Sequence, residues 1–403
     1  MRLLILAPFP YSAASGEGGA TACSNALAEL AADHEIAVLC FCDGSAAHTQ
    51  AAAQMERKAV RVRTVRLRLG KAQLLRAKVV GLLTRTPEHA CYFQSAEFGA
   101  ALQQLMAEFK PDLAICQFPQ MAQYLSHLKD TPSIQDVQDA FCVSWYRRAM
   151  LSPPGWRRWY AFKQWRNWIS YESRHYPVAA QCWTLSEQDR FGLTVFMPQL
   201  NAVAVGVPLI DGTGDFPSAS APPTTVGFIG SFSHQPNVEA LAFLLLHIVP
   251  ALHRRHPNLQ VIVAGRNPPP ALVAGATPQI RFLGFVETLD QFYGQCTVVA
   301  APLLSGGGIK IKVAEALCHG KAVVTTSIGA EGIPLLDGHN AFIANAPEGF
   351  SDRISRLLCD SALRQRIESE AHACARRTFG RAAWRTRVTT LLIELAQPSK
   401  GKE

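Results

Sequence analysis

An α/β chain built from two doubly wound halves is what this sequence predicts, on three observations. Its 403 residues exceed what one common core fills and fit two domains of about 150–200 residues. The order strand, turn, helix, strand occurs at residues 2–41, where the turn is glycine-rich, and again at 225–264, which is how a doubly wound sheet opens. A third stretch, residues 298–333 (VVAAPLLSGGGIKIKVAEALCHGKAVVTTSIGAEGI), joins two apolar runs through a triple glycine, paired lysines and a glutamate.

Taken in order, residues 2–7 are apolar enough for a buried strand, and Glu17 follows too soon after this short run for a secretory leader. The turn SGEGG (15–19) sets Gly18 and Gly19 at the head of a helix, predicted over 21–32, with Ala22, Ala26, Leu27 and Leu30 facing the sheet. Such a turn is either ordinary punctuation or a place where a phosphate or sugar meets backbone N–H groups. Residues 35–41 supply the second strand.

Residues 57–85 hold ten Lys/Arg and no Asp or Glu, and from 60 to 69 basic and apolar residues alternate. The stretch lacks the aromatic residues that stack nucleic-acid bases. Three readings stand: an anionic membrane surface, a phosphate-bearing acceptor, or a solvated cationic face. A helix is predicted over 97–109 and strands over 111–116 and 133–139. The second of these strands ends in Asp136 and Asp139, acids that serve either as acceptor-hydroxyl partners or as helix caps. Residues 145–176 mix five tryptophans with six Lys/Arg before Arg174, a composition that suits a bilayer interface. Strands at 178–185 and 202–207 close the first half. Ser186 caps the helix between them.

The region 208–224, rich in Pro, Gly, Ser and Thr, reads as a linker. Beyond it, the elements expected are a strand at 225–229, a helix at 237–255, and strands at 260–264, 279–285, 298–303 and near 340–344. Helices at 349–376 and 382–395 finish the chain. Gly230 and Ser231 follow the first of these strands. Gly306, Gly307 and Gly308 open the helix expected at 309–319, so its N–H groups and dipole offer a seat to an anion. Lys310 and Lys312 at its start call for a compensating negative charge, and two charge-assisted bonds of about 1.5–3 kcal/mol each would hold a diphosphate. Glu315 shares a side with Lys312 and can accept from ribose hydroxyls. The same residues also fit an ordinary Lys312–Glu315 surface pair.

The segment GGGIKIKVAEALCHGKAVVTTSIGAEGI resembles the donor-site motif of GT-B glycosyltransferases of the large retaining family 4. VGFIGSFSHQPNVEAL and AGR in the second half, and FKPDLAICQ, SIQDVQD and TLSEQDRFGL in the first, are similar to other parts of that family. The resemblance implies two Rossmann-like domains facing a cleft: residues 1–207 on the acceptor side, 208–224 a linker and 225–380 the nucleotide-sugar side. It also implies a closing helix in 381–403 that packs back on the first domain.

The resemblance further implies transfer of a hexose-like sugar with retention, no metal and no cofactor, the nucleotide sugar being a substrate. Lys310 and Lys312 would stabilise the leaving diphosphate and Glu315 would hold the ribose. Gly18, Gly19, Gly230, Ser231 and Gly306 to Gly308 would lie along the donor. Asp136 and Asp139 would serve the acceptor, a glycan or lipid-linked molecule, with Asp139 a candidate catalytic group. It also favours residues 145–176 as a wall of the acceptor side.

This sequence departs from the family at three places. Gly307 stands where many members carry a glutamate, and Gln117 and Gln138 stand at histidine-like places. Two rival functions follow from these departures and from the fold: a non-catalytic protein binding nucleotide sugars or polyanions, and a sugar-nucleotide epimerase. The eleven scattered cysteines read as free thiols of a reducing, cytoplasmic compartment. The formal charge of +8 fits an enzyme working on phosphates, with peripheral contact to the inner membrane face through 57–85 or 145–168. No nucleic-acid role is expected.

Overall fold

The computed structural model describes residues 1–12, 18–59, 61–67, 70–128, 130–210 and 224–396. Ser15, Gly16 and Glu17 of the glycine turn, and residues 211–223 of the expected linker, lie outside the described residues. The chain divides into two compact units. One comprises 1–15, 23–206 and 384–403, the other 16–22 and 207–383.

The first unit is a parallel sheet of seven strands in the order β3-β2-β1-β4-β5-β6-β7. These are β1 (Arg2–Ala7), β2 (Glu35–Cys42), β3 (Arg61–Arg66), β4 (Leu113–Gln117), β5 (Ser133–Val137), β6 (Gln181–Thr184) and β7 (Ala202–Ala204). Parallel neighbours need crossovers, and helices on both faces leave the central strands buried throughout. Leu3, Leu4, Ile36 and Val38 are accordingly inaccessible to solvent. The sequence order reverses between β1 and β4, which opens a crevice at the carboxyl ends of those strands.

Helix α1 (Gly18–Ala31) follows β1, starting three residues before the expected 21. Helix α2 (Lys71–Leu83) follows β3. The tryptophan-rich stretch forms two helices, α3 (Phe141–Leu151) and α4 (Trp156–His175), with Pro153, Pro154 and Gly155 between them. Two prolines in succession lack the N–H groups a continuing helix needs.

The second unit repeats the plan with six parallel strands in the order β10-β9-β8-β11-β12-β13. They are β8 (Thr225–Ile229), β9 (Gln260–Ala264), β10 (Ile280–Gly284), β11 (Val298–Ala301), β12 (Ala322–Thr325) and β13 (Phe342–Ile343). Its switch point lies between β8 and β11. Each sheet is thus wound on two sides of a reversal, the doubly wound plan expected of both halves.

Three helices of this half differ from expectation. The helix predicted from 237 begins at Gln235, and α5 (Gln235–Arg255) contains a π turn at Leu244–Ile248. Pro250 is the second residue after this turn; without an N–H it cannot bond into an ordinary α ladder, and the widened turn accommodates it. Leu241, Leu244, Ile248, Val249 and Leu252 still face the core. Among the described residues α5 alone is long and apolar enough to cross a membrane. Helix α6 (Ile311–Cys318) is about two turns, not three, because Lys310 is extended. The helix expected over 349–376 is two: α7 (Pro347–Cys359) and α8 (Ser361–Phe379). Asp360 between them is extended and caps α8, its carboxylate accepting from Leu363 N at 2.9 Å.

The closing helix α9 (Arg381–Ala396) reaches the first unit's last strand region. Trp384 Nε1 donates to Gly206 O at 3.2 Å and Arg387 Nη1 to Val205 O at 3.2 Å.

Candidate functional site

In the second unit the loops after β8, β11 and β12 and the start of α6 converge at the switch point. The glycine loop between β11 and α6 needs its residue type: Gly306 has φ +115° and Gly308 φ +62°, conformations that a Cβ disfavours. None of the N–H groups of Gly306, Gly307 and Gly308 donates to another backbone group among the described residues. They remain available to an anion. Gly230 differs, since its N–H is already bonded to Ala264 O at 3.0 Å. Ser231 O accepts from Asn237 Nδ2 at 2.6 Å. Gly230 thus borders the recess without lending its N–H, and its own Cβ position lies 2.7 Å from Lys312 Nζ.

The two lysines occupy different surroundings. Lys312 Nζ donates to Asn237 Oδ1 and sits 5.2 Å from the centroid of the Phe228 ring. Burial, reinforced by neighbouring Lys310, brings its pKa down to about 7 although Glu315 opposes the change. Burial likewise lifts the Glu315 carboxyl to about 7, against the pull of Lys312. This is no exposed surface pair. Lys310 is buried and turns back on its own loop: Nζ donates to Gly307 O at 3.1 Å and Gly308 O at 2.7 Å, and lies 3.6 Å from Glu331 Oε2. Its ammonium braces the loop. The expectation of two equivalent lysines on the first helical turn is corrected accordingly, Lys310 being the residue before the helix.

Glu331 and Asn237 were not singled out in the sequence. The signals were GAEG after β12 and QPN at the head of α5. Glu239 is a third such residue, its Oε2 accepting from Ser305 Oγ at 2.8 Å across the glycine loop.

The first unit has its own polar recess at the β1/β4 reversal. Asp136 at the end of β5 is buried, with Oδ2 accepting from Gln138 Nε2 at 2.7 Å and Gln117 Nε2 at 3.3 Å. Burial raises its pKa to about 6, against those two bonds. Among the described residues Asp136 Oδ1, Gln117 Oε1 and Gln138 Oε1 have no hydrogen-bond partner, and the hydroxyl of Tyr11 faces the Gln117 side chain. Three buried oxygens left open in one place ask for hydroxyl or water donors. Asp139 is elsewhere engaged: Oδ1 accepts from Ser144 Oγ at 2.8 Å at the start of α3. The two acids therefore part company, Asp136 in the recess and Asp139 bonded to a helix start. Gly19 is exposed with open space around its Cβ position, and Gly18 is the first residue of α1. Cys42, Asp43 and His48 bring ligand-type atoms within 4.8 Å of one another. Their geometry is that of a helix start, with Asp43 Oδ1 accepting from Ser45 N at 2.9 Å and lying 2.9 Å from His48 Nδ1.

Residues 223–360 match the family described as Glycosyl transferases group 1, a span that contains the whole of the second unit's recess. A 44.6 kDa protein of the cps region of Klebsiella pneumoniae is 25% identical over 136 residues, 32% of this chain and 35% of its own. The match thus spans about a third of that relative's length. Among solved structures, HepE of Anabaena in complex with UDP-glucose superposes with a TM-score of 0.69 at 17% identity, covering 98% of this chain and 100% of that one. Sucrose-phosphate synthase of Thermosynechococcus elongatus gives 0.72 at 14% identity, with 98% and 99% covered. TarM gives 0.69 at 10% identity, with 97% and 99% covered. These likenesses show the GT-B fold.

Proposed function

We propose that the chain is a glycosyltransferase that moves a sugar from a nucleotide diphosphate sugar to an acceptor hydroxyl, with retention and without a metal. The observation that carries this reading is Lys312, a half-buried lysine beside Glu315 whose ammonium meets Asn237 at the switch point, next to a glycine loop whose N–H groups are unspent. A diphosphate seated there would take those N–H groups and the ammonium together. Its charge grows as the glycosidic bond breaks, so fixed positive charge in a poorly hydrated recess favours the transition state over the ground state. Glu315 would accept from ribose hydroxyls. Support also comes from the matched family segment and from the HepE structure, which holds UDP-glucose. In the first unit, the unpartnered oxygens of Asp136, Gln117 and Gln138 would accept from acceptor hydroxyls, as a glycan or lipid-linked sugar presents them. The cps-region relative is in keeping with a polysaccharide acceptor.

A thermal-shift screen against UDP, GDP, ADP and their sugars, followed by transfer assays on the stabilising donor, tests the reading. A ligand at a hundred times its Kd stabilises by about 2.7 kcal/mol. Tight binding without turnover on any acceptor would favour the binding-only alternative, to which Gly307 in place of a glutamate lends its weight. Glu315→Ala is expected to raise the donor KM with little change in kcat. An effect confined to the acceptor KM would contradict the ribose role.

Proton uptake is a further expected result. A pyrophosphate diester beside Lys312 stabilises the ammonium, so a side chain with a pKa near 7 in the free protein gains a proton on binding above that pH. Calorimetric titration with a nucleotide sugar at pH 8 should show heats that vary with buffer ionisation enthalpy, and affinity that weakens as pH rises. Buffer-independent heats would refute it.

A further inference from the structure

The first unit carries an apolar surface that its fold leaves uncovered. On α2, Leu75, Val79 and Leu83 recur every fourth residue, and all three are exposed, Leu75 at 65% and Leu83 at 76%. On the α3–α4 pair, Met150 and Leu151 at the end of one helix and Trp156 and Trp159 at the start of the other are also exposed, the tryptophans at 73% and 64%. Apolar side chains of this size clustered outside a core mark a surface that meets something. The helices that carry them touch, Asn167 Nδ2 of α4 donating to Gly81 O of α2 at 3.0 Å.

Charge says what the partner is. Residues 57–87 and 140–171 contain no Asp or Glu, yet hold ten and six Lys/Arg respectively. Within the exposed faces, Lys71, Arg76 and Lys78 flank the α2 stripe. The Arg157 guanidinium lies 5.6 Å from the centroid of the Trp156 ring and that of Arg148 5.1 Å from the Trp145 ring. Part of the basic run is already neutralised: Arg61 and Arg63 on β3 share Glu108, at 3.1 and 3.3 Å. Lys163 of α4 likewise lies 3.8 Å from Glu88 Oε1. Lys71, Arg76 and Lys78 of α2 and Arg157 of α4 are exposed cations on the helices that carry the exposed leucines and tryptophans. Leucines inserting below, lysines and arginines meeting lipid phosphates, and tryptophans at the level between them is the composition of a helix lying in a headgroup layer.

We propose that α2 and the α3–α4 corner form a docking surface for the face of an anionic lipid bilayer. The surface holds the chain on the membrane by shallow insertion of Leu75, Leu83, Trp156 and Trp159.

The test uses the full chain with vesicles of phosphatidylcholine, with and without 30% phosphatidylglycerol as chosen probe composition. Flotation should recover the protein with anionic vesicles and at least tenfold less with neutral ones. Brominated lipid should quench the emission of the two exposed tryptophans, a readout that needs no variant. Leu75→Ser with Leu83→Ser, and separately Trp156→Phe with Trp159→Phe, should lower partition about tenfold and remove the quenchable emission, respectively, with unchanged melting. Three results would overturn the proposal: no flotation with anionic vesicles, flotation without quenching, or binding that the leucine substitutions leave intact and soluble heparin abolishes. The last would mark a polyanion surface in place of a bilayer.

Discussion

Lys312→Ala is expected to lower donor turnover by at least tenfold, and on the order of a hundredfold if its ammonium meets the leaving group as fixed positive charges do in other closed sites. The effect should fall on kcat more than on donor KM, because the charge it opposes is largest at bond cleavage. Truncation also leaves Asn237 Oδ1 without its donor and Glu315 without its nearby cation. Some loss of stability is therefore expected, and Lys312→Met, which keeps the volume, separates the two effects. The measurement is steady-state kinetics of both variants beside their melting curves. A folded Lys312→Met enzyme with the wild-type rate would reject the diphosphate role.

Gly265→Ala should do comparable damage by purely steric means. Gly265 follows β9 with φ +137°, and a Cβ built there would lie 1.8 Å from Gly230 O. Its N–H also donates to Gly284 O at 2.7 Å, so the residue cannot retreat without breaking the end of β10. Overpacking against backbone typically costs about 1–3 kcal/mol, and the forbidden φ adds to it. The 230 loop must move, and with it the wall beside Lys312 Nζ. Chemical denaturation should show a stability loss of roughly 3 kcal/mol, and nucleotide binding should weaken in parallel. A variant that melts and binds as the wild type does would show that the loops yield freely.

Much of this architecture was legible in the sequence because parallel strands buried on both faces must be nearly continuous apolar runs. RLLILA, EIAVLCFC and QVIVA declare themselves by composition. Helix ends were harder. Lys310 belongs to no helix because the positive-φ glycines before it leave the chain extended, a property of the loop that apolar spacing does not encode. The break at Asp360 is a cap inside a polar run, and periodicity passes over it. At the candidate site, residue types pointed to the loop, the lysines and Glu315, while their division of labour did not show. Glu331, thirteen residues beyond α6, comes to Lys310 only because β12 lies beside β11. Gln117, Asp136 and Tyr11 likewise come from separate strands and loops and are joined by the reversal of the sheet. Such groupings are long-range in sequence, and a single chain without its fold does not display them.

The π turn of α5 has a geometric consequence for the recess. An ordinary α-helix advances about 100° per residue, so a face set at its front dictates the face presented at its rear. One extra residue in a turn offsets that phase by a fixed angle. With the offset, Asn237 is aimed at Lys312 from the front while Val249 and Leu252 are set in the core from the rear.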